Sequence, residues 1–289
     1  MAHGQDPRPP RPPTSAPADF RPSFIRASPQ ASPPPEGAAS PPFPCLVLHG
    51  LGGGLFELAP LTDALRGAGI EVATPVLPGH DGGGPRMPGS TWHEWAAAVE
   101  AAYDALSARA GGGPVAVVGF STGGTLALHL ATQRPVARLL LLAPFLAIRF
   151  SRWVPVPAHV WLGPIARVAP NLPRRPAAVL NRDVRRELTG SSPFRTFSLA
   201  STLSALALIE QVKPTVGAIR APTLILQGRR DTVVEPRGAA WLLDHLGAPG
   251  AQKRLVWLPR SDHLLAWDHD RKVVVENCLM FFRDERIAP

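Results

Sequence analysis

Short apolar runs alternate along the chain with longer segments whose apolar residues recur at helical spacing. The apolar runs cover residues 45–48, 71–77, 115–120, 138–143, 223–227 and 254–258. The segments at helical spacing cover residues 57–66, 93–109, 122–133, 237–246 and 271–283. Short runs without polar alternation predict strands that are buried on both faces, as in a parallel sheet. The pattern therefore predicts an α/β fold, a mostly parallel sheet flanked by helices, with ligands at the carboxyl ends of its strands.

One connection interrupts this alternation. Residues 145–221, a stretch of 77, separate two predicted strands and contain eight prolines. A structureless loop of that length is uncommon in a compact domain. We therefore predict a helical cap or lid insertion at residues 145–214, lying over the strand ends of a core formed by 43–144 and 215–289.

The amino-terminal segment has a different composition. Residues 1–44 contain 14 of the 35 prolines and few apolar residues, so they cannot bury enough surface to offset the entropy of ordering. We predict a Pro-rich disordered tail at residues 1–42. The segment carries no apolar stretch typical of a secretory signal, and the longest charge-free apolar runs span 10 and 13 residues, against about 20 for a membrane helix. The expected location is cytoplasmic.

The formal charge of +8 is concentrated in the predicted cap. Residues 149–195 contain nine arginines against one aspartate and one glutamate. Such a patch can attract anionic lipid or acidic substrates, or it can form only a solvated surface. No recognisable nucleic-acid module accompanies it, so no nucleic-acid partner is expected.

The two cysteines, Cys45 and Cys278, are far apart and lie inside apolar runs. This placement favours reduced core residues over a disulfide framework. No C-x-x-C or H-E-x-x-H spacing occurs in the chain, so no metal site is predicted.

The strongest motif is G-x-S-x-G at residues 119–123, directly after a predicted strand and before a helical segment. In that setting the pattern forms a sharp turn that presents the serine as a nucleophile. The amino end of the following helix favours the negative charge that develops there. Ser121 is therefore the candidate nucleophile; the alternative is a glycine-rich turn with an incidental serine.

A serine hydroxyl needs an adjacent base. His263 follows the last predicted strand and lies at the same end of the sheet as Ser121. His129 lies inside the helix after the serine, and His80 is expected to shape its own loop by hydrogen bonding. His263 is therefore the candidate base.

The base needs a carboxylate that orients it. Asp231 follows the strand predicted at 223–227, again at a carboxyl end. Glu235 is the serious alternative, and Asp262 and Asp268 are weaker ones. The resulting chain order is serine, aspartate, histidine.

Attack on a carbonyl produces an oxyanion that needs preorganised donors. One is expected from the backbone N–H of Thr122, the residue after the nucleophile. The other is expected from the glycine-rich loop after the first strand, where the N–H of Leu51 is the best candidate.

The glycine-rich loop, the serine motif and the candidate acid and base, in this chain order, resemble those of the α/β-hydrolase superfamily. Within it, the chain resembles small bacterial carboxylesterases and monoacylglycerol lipases. The resemblance is carried by LVLHGLGG (46–53), PVLPGH (75–80), VVGFSTGGTLAL (117–128), APTLILQGRRDTVVEP (221–236) and SDHLLAWD (261–268). It implies an α/β-hydrolase fold, Ser121 as nucleophile, Asp231 as acid, His263 as base and no cofactor. Two features depart from the family: no early antiparallel strands are recognisable, and the cap is unusually rich in arginine.

The predicted function is that of a serine hydrolase that cleaves carboxylic esters, either short- to medium-chain acyl esters or monoacylglycerols, through an acyl-enzyme. Its expected partner is a small-molecule ester, with an anionic lipid surface as a further one through the basic cap. Alternatives are a thioesterase, a lysophospholipase or another C–O or C–C bond hydrolase on the same triad, since fold does not fix substrate. A non-catalytic ligand sensor on the same scaffold is the alternative from another class.

Apolar residues of the cap have two interpretations. In the first they line the acyl pocket, which is expected to be largely apolar. In the second they only attach the cap to the core. The residues concerned are Phe145, Trp153, Val156, Val160 and Trp161.

Overall fold

The computed structural model describes residues 43–149 and 158–283, without the side chains of 158 and 159. The predicted tail at 1–42 lies outside the described residues. The strands are β1 (Cys45–Leu48), β2 (Val72–Ala73), β3 (Val115–Phe120), β4 (Val136–Leu142), β5 (Asn171–Pro173), β6 (Thr196–Ser198), β7 (Thr223–Gly228) and β8 (Lys253–Leu258). The helices are α1 (Ala59–Gly67), α2 (Trp92–Arg109), α3 (Thr122–Ala131), α4 (Ala158–Val168), α5 (Arg182–Glu187), α6 (Leu199–Val212), α7 (Arg237–His245) and α8 (Arg271–Phe282).

Six strands form one sheet in the order β2-β1-β3-β4-β7-β8, and every neighbouring pair is parallel. Strands β1, β3 and β7 are buried at every position, because helices cover both faces of such a sheet. This confirms the predicted parallel sheet flanked by helices. It also brings the carboxyl ends of β3, β7 and β8 to one edge.

The strand predicted at 71–77 is wrong in extent, since β2 covers only Val72–Ala73. β2 is the edge strand beside β1. Pro75 and Pro78 follow it closely, and proline supplies no N–H to a ladder. The apolar residues beyond Ala73 therefore leave the sheet as a loop.

Local signals fix the helix ends. α2 begins with a capping box, in which Thr91 Oγ1 accepts the Glu94 N–H at 3.4 Å and Glu94 Oε2 accepts the Thr91 N–H at 2.7 Å.

Cys45 and Cys278 are buried free thiols, and burial raises the pKa of both. No helix among the described residues has the length and apolar character that a membrane crossing requires.

The segment between β4 and β7 contains α4, α5, α6 and the antiparallel pair β5–β6. It is attached to the rest of the fold by hydrogen bonds from several loops. The Ser90 N–H donates to Ser201 Oγ at 3.0 Å, and the Met87 N–H donates to Thr196 Oγ1 at 3.2 Å. α6 also packs against α2 and α3, so this end of the segment lies on the helices of the sheet. The cap boundaries at 145 and 214 stay a prediction.

Candidate active site

Ser121 lies in the tight turn between β3 and α3, here called the serine turn (residues 119–123). Its backbone adopts φ 52° and ψ −119°, a conformation that costs a residue with a side chain about 1–3 kcal/mol. Glycine is required at position 119 because the backbone of the turn approaches itself closely there. A Cβ on Gly119 would lie 2.4 Å from the carbonyl oxygen of Gly123. The Ser121 N–H donates to the carbonyl oxygen of Leu142 at 3.0 Å. Neighbouring strand β4 therefore helps to hold the strained turn.

His263 lies on the loop between β8 and α8, and its Nε2 is 3.0 Å from Ser121 Oγ. Its backbone N–H lies 2.8 Å from Asp262 Oδ1 and 3.1 Å from the carbonyl oxygen of Ala178. Its ring packs against Phe120, with centroids 4.9 Å apart. The imidazole is thus held beside the serine hydroxyl through both its backbone and its ring.

Asp231 follows β7 and is fully buried. Its Oδ2 lies 2.9 Å from His263 Nδ1 and accepts a hydrogen bond from Gln227 Nε2 at 3.1 Å. Its Oδ1 accepts the N–H groups of Val233 and Val234 at 2.8 and 2.9 Å. These bonds orient the carboxylate so that one oxygen faces the imidazole.

The two buried groups shift each other's pKa. Burial lowers the pKa of His263, but the charge and hydrogen bond of Asp231 raise it more, with help from Glu57 and Asp262, so the net shift is upward. Burial raises the pKa of Asp231, but His263 and the backbone donors lower it more, so the net shift is downward. An ionised Asp231 beside His263 is what a histidine base requires when it takes up a proton.

Two alternative carboxylates have other partners. Glu235 Oε1 lies 3.6 Å from Arg149 Nη1. Asp262 Oδ1 accepts the Thr232 N–H at 2.8 Å as well as the backbone N–H of His263. Within the described part of the chain, no group of three or more His, Cys, Asp or Glu side chains is arranged to hold a metal ion.

Asp268 connects the histidine loop to the segment between β4 and β7. Its Oδ2 accepts the N–H groups of Asp262 and Leu180, each at 2.8 Å, and its Oδ1 accepts the Asn181 N–H at 3.1 Å. Asp268 therefore supports the position of the loop that carries the imidazole rather than the imidazole itself.

The loop after β1 lies against the serine turn. A Cβ on Gly123 would lie 2.4 Å from the carbonyl oxygen of Leu48 and 2.6 Å from that of His49. Thr122 is the first residue of α3, so its N–H has no acceptor within the helix. Across residues 43–149 and 158–283, the Leu51 N–H donates to no other residue. The two N–H groups predicted to bind the oxyanion therefore lie on neighbouring segments.

A family comparison decides the class to which this arrangement belongs. Residues 40–270 match the model of the serine aminopeptidase S33 family. The chain belongs to the serine aminopeptidase S33 family. The matched residues extend from before β1 to the loop after β8 and include all three residues of the predicted triad.

Curated relatives of this S33 hydrolase are esterases and lipases. The thermostable monoacylglycerol lipase of Bacillus sp. strain H-257 is 30% identical over 86% of this chain and 93% of its own. The pimeloyl-[acyl-carrier protein] methyl ester esterase of Aromatoleum aromaticum is 32% identical over 70% of this chain and 84% of its own. The predicted resemblance, and the prediction of an enzyme of the esterase and lipase type, are confirmed.

A solved structure supports the fold. The soluble variant of monoglyceride lipase from Saccharomyces cerevisiae superposes with a TM-score of 0.72 and 18% identity, over 89% of this chain and 91% of its own. At that identity the likeness concerns the fold alone, and it confirms the predicted α/β-hydrolase fold.

The residues predicted to line an acyl pocket have different environments in the hydrolase. Phe145 is buried, and its N–H donates to the carbonyl oxygen of the nucleophile candidate at 3.0 Å. Val160 and Trp161 lie on α4 with exposed fractions of 51% and 38%. Trp153 and Val156 lie outside the described residues. Among the described residues of this set, Phe145 is the one that forms a hydrogen bond with the serine turn.

Sequence reasoning expected His80 to shape its own loop, and it missed three contributions to the loop after β1. His80 Nε2 accepts the Gly52 N–H at 2.8 Å, and His49 Nε2 accepts the Leu77 N–H at 3.1 Å. The carboxyl of Glu57 is buried against the same loop. His49 and His80 share a sequence signal, a polar residue within an otherwise apolar or glycine-rich stretch, whereas Glu57 lies in a segment at helical spacing, where polar residues are ordinary.

Proposed function

We propose that this S33 hydrolase cleaves carboxylic esters with short- to medium-chain acyl groups, monoacylglycerols among them, through an acyl-enzyme on Ser121. The observation that carries the proposal is one chain of contacts: Ser121 Oγ to His263 Nε2 at 3.0 Å, and His263 Nδ1 to Asp231 Oδ2 at 2.9 Å. A serine becomes a useful nucleophile when a base of this kind adjoins it and a carboxylate orients the base.

In the first half-reaction, Ser121 Oγ attacks the ester carbonyl carbon while His263 Nε2 takes the hydroxyl proton. The carbonyl oxygen becomes an oxyanion that accepts hydrogen bonds from the Leu51 and Thr122 N–H groups. When the tetrahedral intermediate collapses, the bond to the alkoxy oxygen breaks, and His263 returns the proton to that oxygen. The alcohol leaves, and the acyl group remains on Ser121.

In the second half-reaction, water takes the place of the serine hydroxyl. His263 removes a proton from the water as its oxygen attacks the acyl carbon, and the same two N–H groups stabilise the new oxyanion. Collapse breaks the bond to Ser121 Oγ, which recovers its proton from His263. The carboxylic acid is released, and the proposal needs no cofactor.

The substrate class rests on the relatives and on the apolar surroundings of the serine. The two curated relatives are by name a monoacylglycerol lipase and a methyl ester esterase, and both names denote cleavage of an ester. Phe145, one of the residues proposed to contact the acyl chain, is buried beside the serine turn. An apolar pocket with few polar groups fits an uncharged acyl chain.

We further propose that α4 brings the hydrolase to anionic lipid surfaces. Val160, Ile165 and Val168 of this helix are exposed to 51%, 42% and 89%, and Arg167 belongs to the basic stretch 149–195. Exposed apolar residues with adjacent cations are typical of helices that bind anionic membranes.

Sedimentation with lipid vesicles tests this proposal. Vesicles of phosphatidylglycerol should remove more of the protein from the supernatant than vesicles of phosphatidylcholine do. Depletion by neither would leave the patch a solvated surface, and equal depletion by both would mean binding through apolar contacts without selection for anionic lipid.

The cytoplasmic location and the lack of a nucleic-acid partner stay predictions.

The test of the function is hydrolysis of p-nitrophenyl esters from acetate to palmitate, with a monoacylglycerol and an acyl thioester assayed alongside. We expect a chain-length optimum, cleavage of the monoacylglycerol and loss of all these activities in Ser121→Ala. A preference for the thioester would assign the site to thioesterase chemistry. Folded wild-type protein that binds these esters without cleaving them would favour a ligand sensor instead.

A further inference from the structure

The loop after β1 is fixed on both sides of Leu51. The Gly50 N–H donates to Glu57 Oε2 at 3.1 Å, and the Gly52 N–H donates to His80 Nε2 at 2.8 Å. The N–H between them, that of Leu51, has no acceptor among the described residues. Two of three consecutive amide groups are therefore occupied, and the one predicted to bind the oxyanion is left available.

Glu57 lies at the inner side of this loop, in the turn that precedes α1. The residue is buried, with 8% of its surface exposed, and its carboxyl packs directly against Gly53. A Cβ on Gly53 would lie 2.0 Å from Glu57 Cδ and 2.1 Å from either oxygen. The carboxyl group therefore contacts the loop before and after Leu51, at Gly50 and at Gly53.

The segment between β4 and β7 also contacts this loop, at Gly52. Arg174 Nη1 donates to the Gly52 carbonyl oxygen, and Ser192 Oγ lies 3.3 Å from the same oxygen. Gly52 has φ +69°, and a Cβ there would lie 2.6 Å from Phe197. Of the nine arginines counted in the basic stretch, Arg174 is thus in contact with the predicted oxyanion loop.

We propose that Glu57 is a positioning residue for ester hydrolysis: its buried carboxyl holds Gly50 and Gly53 so that the Leu51 N–H stays available to the oxyanion. His80 and Arg174 hold Gly52, the residue after Leu51, through its N–H and its carbonyl oxygen. The inference rests on the proposed function, because an oxyanion forms only if Ser121 attacks a carbonyl. It assigns to Glu57 a role that acts through the loop, without contact with the substrate.

The charge of Glu57 provides an independent readout. Burial raises the pKa of Glu57 to about 7, while the N–H groups of Gly50 and Gly54 and the charges of His263 and Arg174 oppose that rise. The ionised carboxylate in turn raises the pKa of His263. Removing the charge should therefore shift the acidic limb of the kcat/KM profile to lower pH, because His263 then loses its proton more readily. A residue that only fills space would not move this limb.

The experiment compares Glu57→Ala, Glu57→Gln and the control Tyr103→Phe. Tyr103 donates its hydroxyl to the carbonyl oxygen of Pro135, just before β4 and far from the carboxyl edge of the sheet. Glu57→Ala should lower kcat by about 10²-fold, the scale of a lost oxyanion donor, with KM changed only about twofold. Binding of a trifluoromethyl ketone, which forms a tetrahedral oxyanion adduct, should weaken in parallel with kcat/KM. Glu57→Gln keeps an oxygen for the Gly50 N–H, so it should recover most of kcat while its acidic limb moves down in pH.

Wild-type kcat in Glu57→Ala, or an unmoved acidic limb in Glu57→Gln, would overturn the proposal. If Glu57→Ala does not fold, the pH profile of Glu57→Gln decides alone. A loss of kcat in Tyr103→Phe as large as that in Glu57→Ala would also overturn it, since the effect would then be one of general stability. Ser121→Ala is run beside them: if it stays active, the proposed function fails, whereas an inactive Ser121→Ala with unaffected Glu57 variants sinks this inference alone.

Discussion

A Cβ built on Gly123 would lie 2.4 Å from the carbonyl oxygen of Leu48. The glycine of the serine turn and the end of β1 therefore touch through backbone atoms, where no side chain can move aside. This contact keeps the predicted oxyanion loop against the serine turn. It explains in physical terms why the turn requires glycine at that position.

Gly123→Ala should accordingly lower the free energy of unfolding by about 1–3 kcal/mol, the scale of overpacking in a core, and reduce kcat. Gly163→Ala is the matched control, because a Cβ on this α4 residue meets no atom within 4 Å. Alanine is favoured over glycine in a helix, so the control should gain up to about 1 kcal/mol. Urea unfolding of both variants measures the difference; equal effects of the two substitutions would refute the packing argument.

Because Ser121 has a positive φ, glycine should be more stable than alanine at this position. At φ 52° glycine has no Cβ penalty, so Ser121→Gly should unfold with a free energy about 1 kcal/mol higher than Ser121→Ala. The control pair is Ser107→Gly and Ser107→Ala in α2, where alanine should be the more stable by a similar amount. Thermal unfolding would show the reversed order between the two sites. The same order at both would mean that the serine turn is not strained.

Asp231→Asn should lower kcat by about 10⁴-fold, because the amide no longer holds the imidazole in the tautomer that accepts the serine proton. Glu235→Gln should stay within about tenfold of the wild type, since Glu235 contacts Arg149. Steady-state hydrolysis of one p-nitrophenyl ester distinguishes the two. A severe loss in Glu235→Gln with an active Asp231→Asn would transfer the acid role to Glu235.

His49 should make the fold sensitive to acid. Burial, and to a smaller extent the charge of His80, lowers the pKa of His49 to about 4 although a hydrogen bond to Gly50 opposes the shift, against about 6.5 in an unfolded chain. The unfolded state then binds a proton first as pH falls, so stability is retained above about pH 6.5 and declines towards about pH 4. The loss is about 3 kcal/mol.

Urea unfolding between pH 4 and 8 checks this sign. The wild type should lose stability faster than His49→Gln as the pH falls from about 6.5 to about 4, because glutamine does not titrate. Two curves that run parallel through this range would show that His49 is not the group responsible.

The arrangement of strands and the three triad candidates could be predicted because their signals are local. A buried parallel strand is a short apolar run, and a turn of G-x-S-x-G type has a fixed sequence setting. Asp231 and His263 each follow such a strand, so the topology alone places them at one edge. The extent predicted for β2 is too long because Pro75 and Pro78 follow Ala73 closely and end the ladder.

Glu57 and Arg174 could not be singled out from the sequence. Glu57 occurs where a helical segment ordinarily has polar residues, and only the close approach of Gly53 reveals that its carboxyl is buried. Arg174 is one of many arginines, and its contact with Gly52 spans 122 residues of chain. Such roles arise from long-range packing of loops, which leaves no periodic pattern.

The most direct test of the central claim is covalent labelling with a fluorophosphonate, mapped by peptide mass spectrometry. Ser121 Oγ attacks phosphorus, fluoride leaves, and His263 takes up the serine proton. The expected result is a single adduct on the peptide that contains Ser121, formed in step with the loss of ester hydrolysis. Labelling should be absent in Ser121→Ala and much slower in His263→Ala. An adduct on a different residue, or full activity after stoichiometric labelling of Ser121, would contradict the assignment of Ser121 as the nucleophile.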